Sequence, residues 1–116
     1  MDLDAHSRHK VQELQILEQN LQSLLAQKQS IQMEQSEVEN ALEELSGNPE
    51  EVYKVFSGIM VKSSAERVKE ELKEKKKLLD LRLSSIEKQE NMMESKASGL
   101  REEISKILES ANKQNK

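Results

Sequence analysis

Residues 50–64 read EEVYKVFSGIMVKSS and hold the only Tyr and the only Phe of a 116-residue chain. Val52-Tyr53-Lys54-Val55-Phe56 and Ile59-Met60-Val61-Lys62 are rich in strand-preferring residues, and Ser57-Gly58 between them offers a two-residue turn with a residue tolerant of positive φ. The stretch predicts a β-hairpin over residues 52–62. Only Lys54 and Lys62 interrupt its apolar side chains, so both faces need cover. A lone two-stranded hairpin is marginal in water, and its unpaired edges recruit other strands. We therefore read the hairpin as joining hairpins of other chains, closed into an intersubunit β-barrel that buries the aromatics and removes the edges. Packing on the root of its own helices is the alternative.

Working outward, the flanks are helical. Toward the N-terminus, Leu14, Leu17, Leu21, Leu24, Lys28, Ile31, Gln35, Val38, Leu42 and Leu45 alternate three and four apart, a heptad seam whose polar members Lys28 and Gln35 are of the kind that sets register. Gly47, expected in the left-handed conformation, and Pro49 stop this helix after Ser46. Toward the C-terminus, Ser63-Ser64-Ala65-Glu66 has a capping-box pattern with Ser63 as the cap. A second seam follows at Ala65, Lys69, Leu72, Lys76, Leu79, Leu83, Ile86, Glu90, Met93, Ala97, Leu100, Ile104, Ile107 and Ala111. At about 1.5 Å per residue the two helices match at roughly 65–70 Å. Residues 1–50 carry ten acidic and three basic side chains, residues 51–116 twelve and fifteen, so the segments suit each other electrostatically. The expectation is a mainly α fold: a long antiparallel two-helix coiled-coil hairpin with a small β-hairpin at the helix–helix connection. It forms a single domain over 1–116, with an N-terminal helix in 1–46 and a C-terminal helix over 64–112. A parallel homodimer with one continuous helix is the weaker option, given the break at Gly47 to Pro49.

Composition excludes several function classes. Charged residues make up 34% of the chain and the apolar set another 34%, the balance of long helices, and the regular apolar spacing argues against disorder. There is no Cys, hence no disulfide framework and no thiolate metal site. The first ten residues lack an apolar signal core and no apolar run is long enough for a membrane span, so a cytoplasmic chain with no membrane role is expected. A net charge of −4 argues against nucleic acid as a partner.

Reactive groupings are sparse. His6 and His9 are three apart but have no third ligand of matching type nearby, and are read as solvated. The run Lys73-Glu74-Lys75-Lys76-Lys77 is diluted by Glu70, Glu71 and Asp80 and has no accompanying aromatics, so a solvated helix face is the reading. No Gly-rich phosphate loop or Ser/His/Asp grouping is found, and a helix pair offers no cleft to perturb a pKa; an enzyme is not expected, nor any metal or cofactor. Heptad order decays before Leu14, while Leu100, Ile104, Ile107 and Leu108 continue the other helix. This marks the helix ends as a candidate protein-contact site, unless Leu3, Val11 and Leu14 cover those residues fully.

The order long helix, Val52-Tyr53-Lys54-Val55-Phe56-Ser57-Gly58-Ile59-Met60-Val61-Lys62, then a second helix through Val68-Lys69-Glu70-Glu71-Leu72, resembles the beta-class subunit of prefoldin over nearly the whole chain. Leu81-Arg82-Leu83 and Lys88-Gln89-Glu90 support the likeness, and the single hairpin and compact length point to the beta class of archaeal type. The resemblance implies an ATP-independent holdase, a hexamer of two alpha-class and four beta-class subunits on a double β-barrel platform. Its coiled-coil tips capture non-native polypeptides and deliver them to a group II chaperonin. Carried onto this chain, oligomerisation falls on Val52, Tyr53, Val55, Phe56, Ile59, Met60 and Val61, and client binding on Leu3, Val11, Leu14, Leu100, Ile104, Ile107 and Leu108. A coiled-coil adaptor without chaperone activity is the competing function.

Overall fold

A computed structural model describes residues 4–114. The order of elements is α1 (Ala5–Leu45), β1 (Val52–Phe56), β2 (Ile59–Ser63) and α2 (Ala65–Gln114). The molecule is mainly helical, with a two-stranded antiparallel hairpin between two long helices.

Local chemistry sets each boundary. Asp4 caps α1: its Oδ1 accepts the Ser7 backbone N–H at 2.7 Å, and its carbonyl accepts that of Arg8 at 3.0 Å. At the other end, Ser46, Gly47 and Asn48 donate to Glu43, Glu44 and Leu45 carbonyls at 3.1–3.3 Å, tightening the last turn. The left-handed residue is Asn48 (φ 52°), not Gly47. Pro49 disfavours right-handed helix at the residue before it, and Asn tolerates the left-handed region through local hydrogen bonding.

The cap of α2 also differs from expectation. Ser63 is the last residue of β2, opposite Val52, and Ser64 is the cap: its Oγ accepts the Arg67 N–H at 3.2 Å. The box therefore moves by one residue, and position three falls on Arg67, which cannot reciprocate as Glu66 would have.

Across the hairpin, Val52, Tyr53, Lys54, Val55 and Phe56 face Ser63, Lys62, Val61, Met60 and Ile59 in turn. Ser57 (φ 50°) and Gly58 (φ 79°) both have positive φ, the requirement of a type I′ turn, whose twist matches that of the flanking strands.

The structure divides into two compact units, one spanning residues 28–85 and the other joining α1 up to Gln27 with α2 from Ile86. In the 28–85 unit, Ile31, Val38, Leu45 and Leu79 are buried, while Gln35, Leu42, Leu72, Lys76 and Leu83 are half-buried. Glu34 and Glu39 on α1 face Lys75 and Lys76 on α2 at 4.0 and 3.8 Å, and the Gln35 amide donates to Asp80 at 2.8 Å. In the other unit Leu17, Ala97 and Leu100 form a buried cluster, with Leu14, Leu21 and Met93 packed against it. Glu13 pairs with Lys96 and Glu18 with Arg101, at 3.3 and 3.6 Å. Within each unit the helix segments thus run antiparallel, with the predicted seam inside and α1 carboxylates set against α2 cations.

The seam reaches further than its apolar residues. Ser7, buried, and Lys10, half-buried and paired with Glu103, continue the spacing back from Leu14. Heptad geometry persists through this stretch; only its hydrophobicity decays.

Candidate interaction sites

The hairpin presents the larger exposed apolar surface of the 28–85 unit. Directly opposed residues share a face, so Tyr53, Val55, Met60 and Lys62 lie on one side and Val52, Lys54, Phe56, Ile59, Val61 and Ser63 on the other. Only Val52 and Ser63, at the root, are half-buried; the remainder is exposed, Val55 at 69% and Phe56 at 68%. The second face is tied down near its root, where Lys54 Nζ lies 2.6 Å from Glu71 Oε2. That hydrogen bond, with the positive charges of Lys54 and Arg67, holds the Glu71 carboxyl below its usual range. An open groove beside the hairpin is lined by Leu45, Pro49, Val52, Val55, Val68 and Leu72. The seven residues predicted for oligomerisation are thus together, and within this chain six of them are exposed.

The residues predicted to hold clients are less uniform. Leu100 is buried beside Leu17 and Ala97, and Leu14 packs on the same cluster. Val11, Ile104 and Ile107 are half-buried, and Leu108 is exposed at 40%. Leu3 lies outside the described residues. In the same unit the hydrogen bond from Lys10 to Glu103 keeps that carboxyl below its usual range. Near the buried cluster, the Arg101 guanidinium is raised by its hydrogen bond to Glu94 at 3.0 Å and by Glu18.

Sequence reasoning missed the exposed apolar residues on the outer helix faces. Ile16, Leu25 and Met92 in one unit, and Met33, Leu78 and Leu81 in the other, are exposed. The signal was present: each is a large apolar residue that falls outside the three-four seam. His6 and His9 are both exposed, and among the described residues no group of three or more His, Cys, Asp or Glu could hold a metal. No described helix is long and apolar enough to cross a membrane.

Comparison with known proteins places this arrangement. The family of prefoldin subunits matches residues 8–111. The chain is 35% identical over 109 residues to a prefoldin subunit beta of Methanothrix thermoacetophila, covering 92% of this chain and 91% of that one. It is also 35% identical over 98 residues to a prefoldin subunit beta of Pyrococcus abyssi, covering 83% and 84%. Among solved structures, the crystal structure of the prefoldin beta subunit from Thermococcus strain KS-1 is similar, with a TM-score of 0.83 and 31% identity over 92% of this chain and 96% of that one.

Proposed function

The chain belongs to the prefoldin subunit family, and from that membership we propose that it acts as an ATP-independent holdase in the cytoplasm, without enzymatic activity. The observation that carries the proposal is a hairpin exposed on both faces in a chain that matches beta subunits along nearly its whole length. Burying a large apolar side chain is worth about 1.5–3 kcal/mol, and association costs roughly 4–15 kcal/mol in lost freedom. One of the six exposed hairpin side chains alone would not offset that cost; covering most of them together would. The hairpins accordingly assemble this chain with alpha-class subunits, two alpha with four beta, in a shared barrel platform.

Capture of non-native polypeptide is the task of the helix ends, through Leu108 with Val11, Ile104 and Ile107, together with Leu14, Leu100 and the expected contact Leu3. The apolar area there is modest, so several ends acting at once supply the affinity that one lacks. Delivery to a group II chaperonin completes the proposed cycle.

The test is aggregation of a chemically denatured protein diluted into buffer with this chain, an alpha-class partner, or both. Suppression that requires the assembled complex and no nucleotide supports the holdase. A complex that forms while aggregation proceeds unchanged contradicts it and favours a coiled-coil adaptor.

A further inference from the structure

We propose that Lys62 selects the hairpin's partner, favouring the hairpin of a different subunit that sets a carboxylate against it over a second copy of this chain. This rests on the hairpin being the assembly surface, and it adds the chemistry of the partner.

The hairpin carries two cations, and the structure treats them differently. Lys54 is neutralised within the chain by Glu71. Lys62 is exposed and has no ion pair or side-chain hydrogen bond among the described residues. It stands directly across from Tyr53, on the face shared with Val55 and Met60. Glu51, which accepts the Tyr53 hydroxyl at 3.2 Å, makes no ion pair with it. The face that must be covered thus carries one cation without an ion-pair partner, beside a Glu51 carboxylate that bonds Tyr53 instead.

A lysine on an open strand edge discourages identical strands from pairing. When two β2 strands pair antiparallel about Val61, each Lys62 sits opposite the other copy's Met60. The two lysines are then diagonal neighbours about 7–8 Å apart, within a Debye length of about 8 Å at physiological salt. Burying that face with the ammonium unpaired adds a desolvation penalty. A carboxylate at the facing position, or at the diagonal one within reach of the long lysine side chain, removes both penalties, shifting each contact by about two- to fivefold.

The experiment is sedimentation velocity on the wild-type chain, Lys62→Glu, Lys62→Met, and an equimolar mixture of wild type with Lys62→Glu, which serves as the acidic probe. Samples are run at roughly 0.05 M and roughly 1 M salt, the latter shortening the Debye length to about 3 Å. At low salt the mixture is expected to associate about three- to tenfold more tightly than either component alone, with the advantage shrinking at high salt. Lys62→Met is expected to self-associate more tightly than wild type. A mixture no tighter than wild type, or an advantage indifferent to salt, overturns the proposal. Phe56→Asp run alongside separates the two levels. Association unaffected by Phe56→Asp defeats the assembly reading itself, whereas loss with Phe56→Asp and no gain in the mixture defeats only the role of Lys62. Circular dichroism establishes that each variant keeps its helices.

Discussion

Leu79 is only 2% exposed, inside the seam of the 28–85 unit. Truncation there removes transfer energy and leaves a void, so Leu79→Ala should cost about 2–5 kcal/mol, read as a lower urea midpoint at fixed protein concentration. The exposed carboxylates act through pH. Asp4, Glu71 and Glu103 are all held below the ordinary range, by the Ser7 backbone hydrogen bond, by Lys54 and by Lys10 respectively. A group with a depressed folded pKa binds protons more readily when unfolded. Its contribution is therefore complete above the unfolded carboxylate range of about pH 4–4.5, and lost as pH falls through the folded values. The thermal midpoint should decline on acidification through that window; a midpoint that rises there would contradict these pairings. Two residue assignments were not legible in advance. Of two adjacent serines, Ser64 is free to cap because the ladder holds Ser63 opposite Val52, and pairing of that kind is not a local property. Likewise Asn48 takes the left-handed turn beside a glycine: Pro49 closes the right-handed helical region to Asn48, and Asn tolerates positive φ.

At the scale of elements, the seams were legible because a three-four spacing has only one way to bury itself. Ile31, Val38 and Leu79 face inward as their spacing requires, and so do the half-buried polar members Gln35 and Lys76. The start of α1 was harder, since Ser7 and Lys10 occupy seam positions without hydrophobic side chains to announce them. The hairpin turn was legible from Ser57-Gly58, and its geometry makes a directional prediction. Both residues have positive φ, and Asn-Gly suits a type I′ turn better than Ser-Gly. Ser57→Asn should slow amide hydrogen exchange in β1 and β2. Gly58→Ala should speed it by roughly tenfold, through a backbone penalty of about 1–2 kcal/mol, since a Cβ at Gly58 meets no atom within 4 Å and only its positive φ opposes the change. Equal exchange in both variants would mean that the turn does not limit hairpin stability.

For the whole molecule, the two candidate surfaces fall in different compact units, which makes assembly and capture separable by mutation. Leu108→Ser, at an exposed position, should leave subunit assembly intact and reduce suppression of aggregation, a change measured by light scattering of the diluted client. The hairpin face was readable because seven apolar side chains in eleven residues cannot be covered by one another. The helix ends were only partly readable. Leu100 looked available in sequence but is buried against Leu17 and Ala97, a contact that depends on how far the opposing helix extends.

Native mass spectrometry of this chain with a prefoldin alpha-class subunit tests most directly whether the hairpin is the device that builds the assembly. The expected spectrum shows a complex of two alpha and four copies of this chain for the wild type, and free subunits for Phe56→Asp at unchanged helical circular dichroism. An intact hexamer built from the Phe56→Asp chain would contradict it.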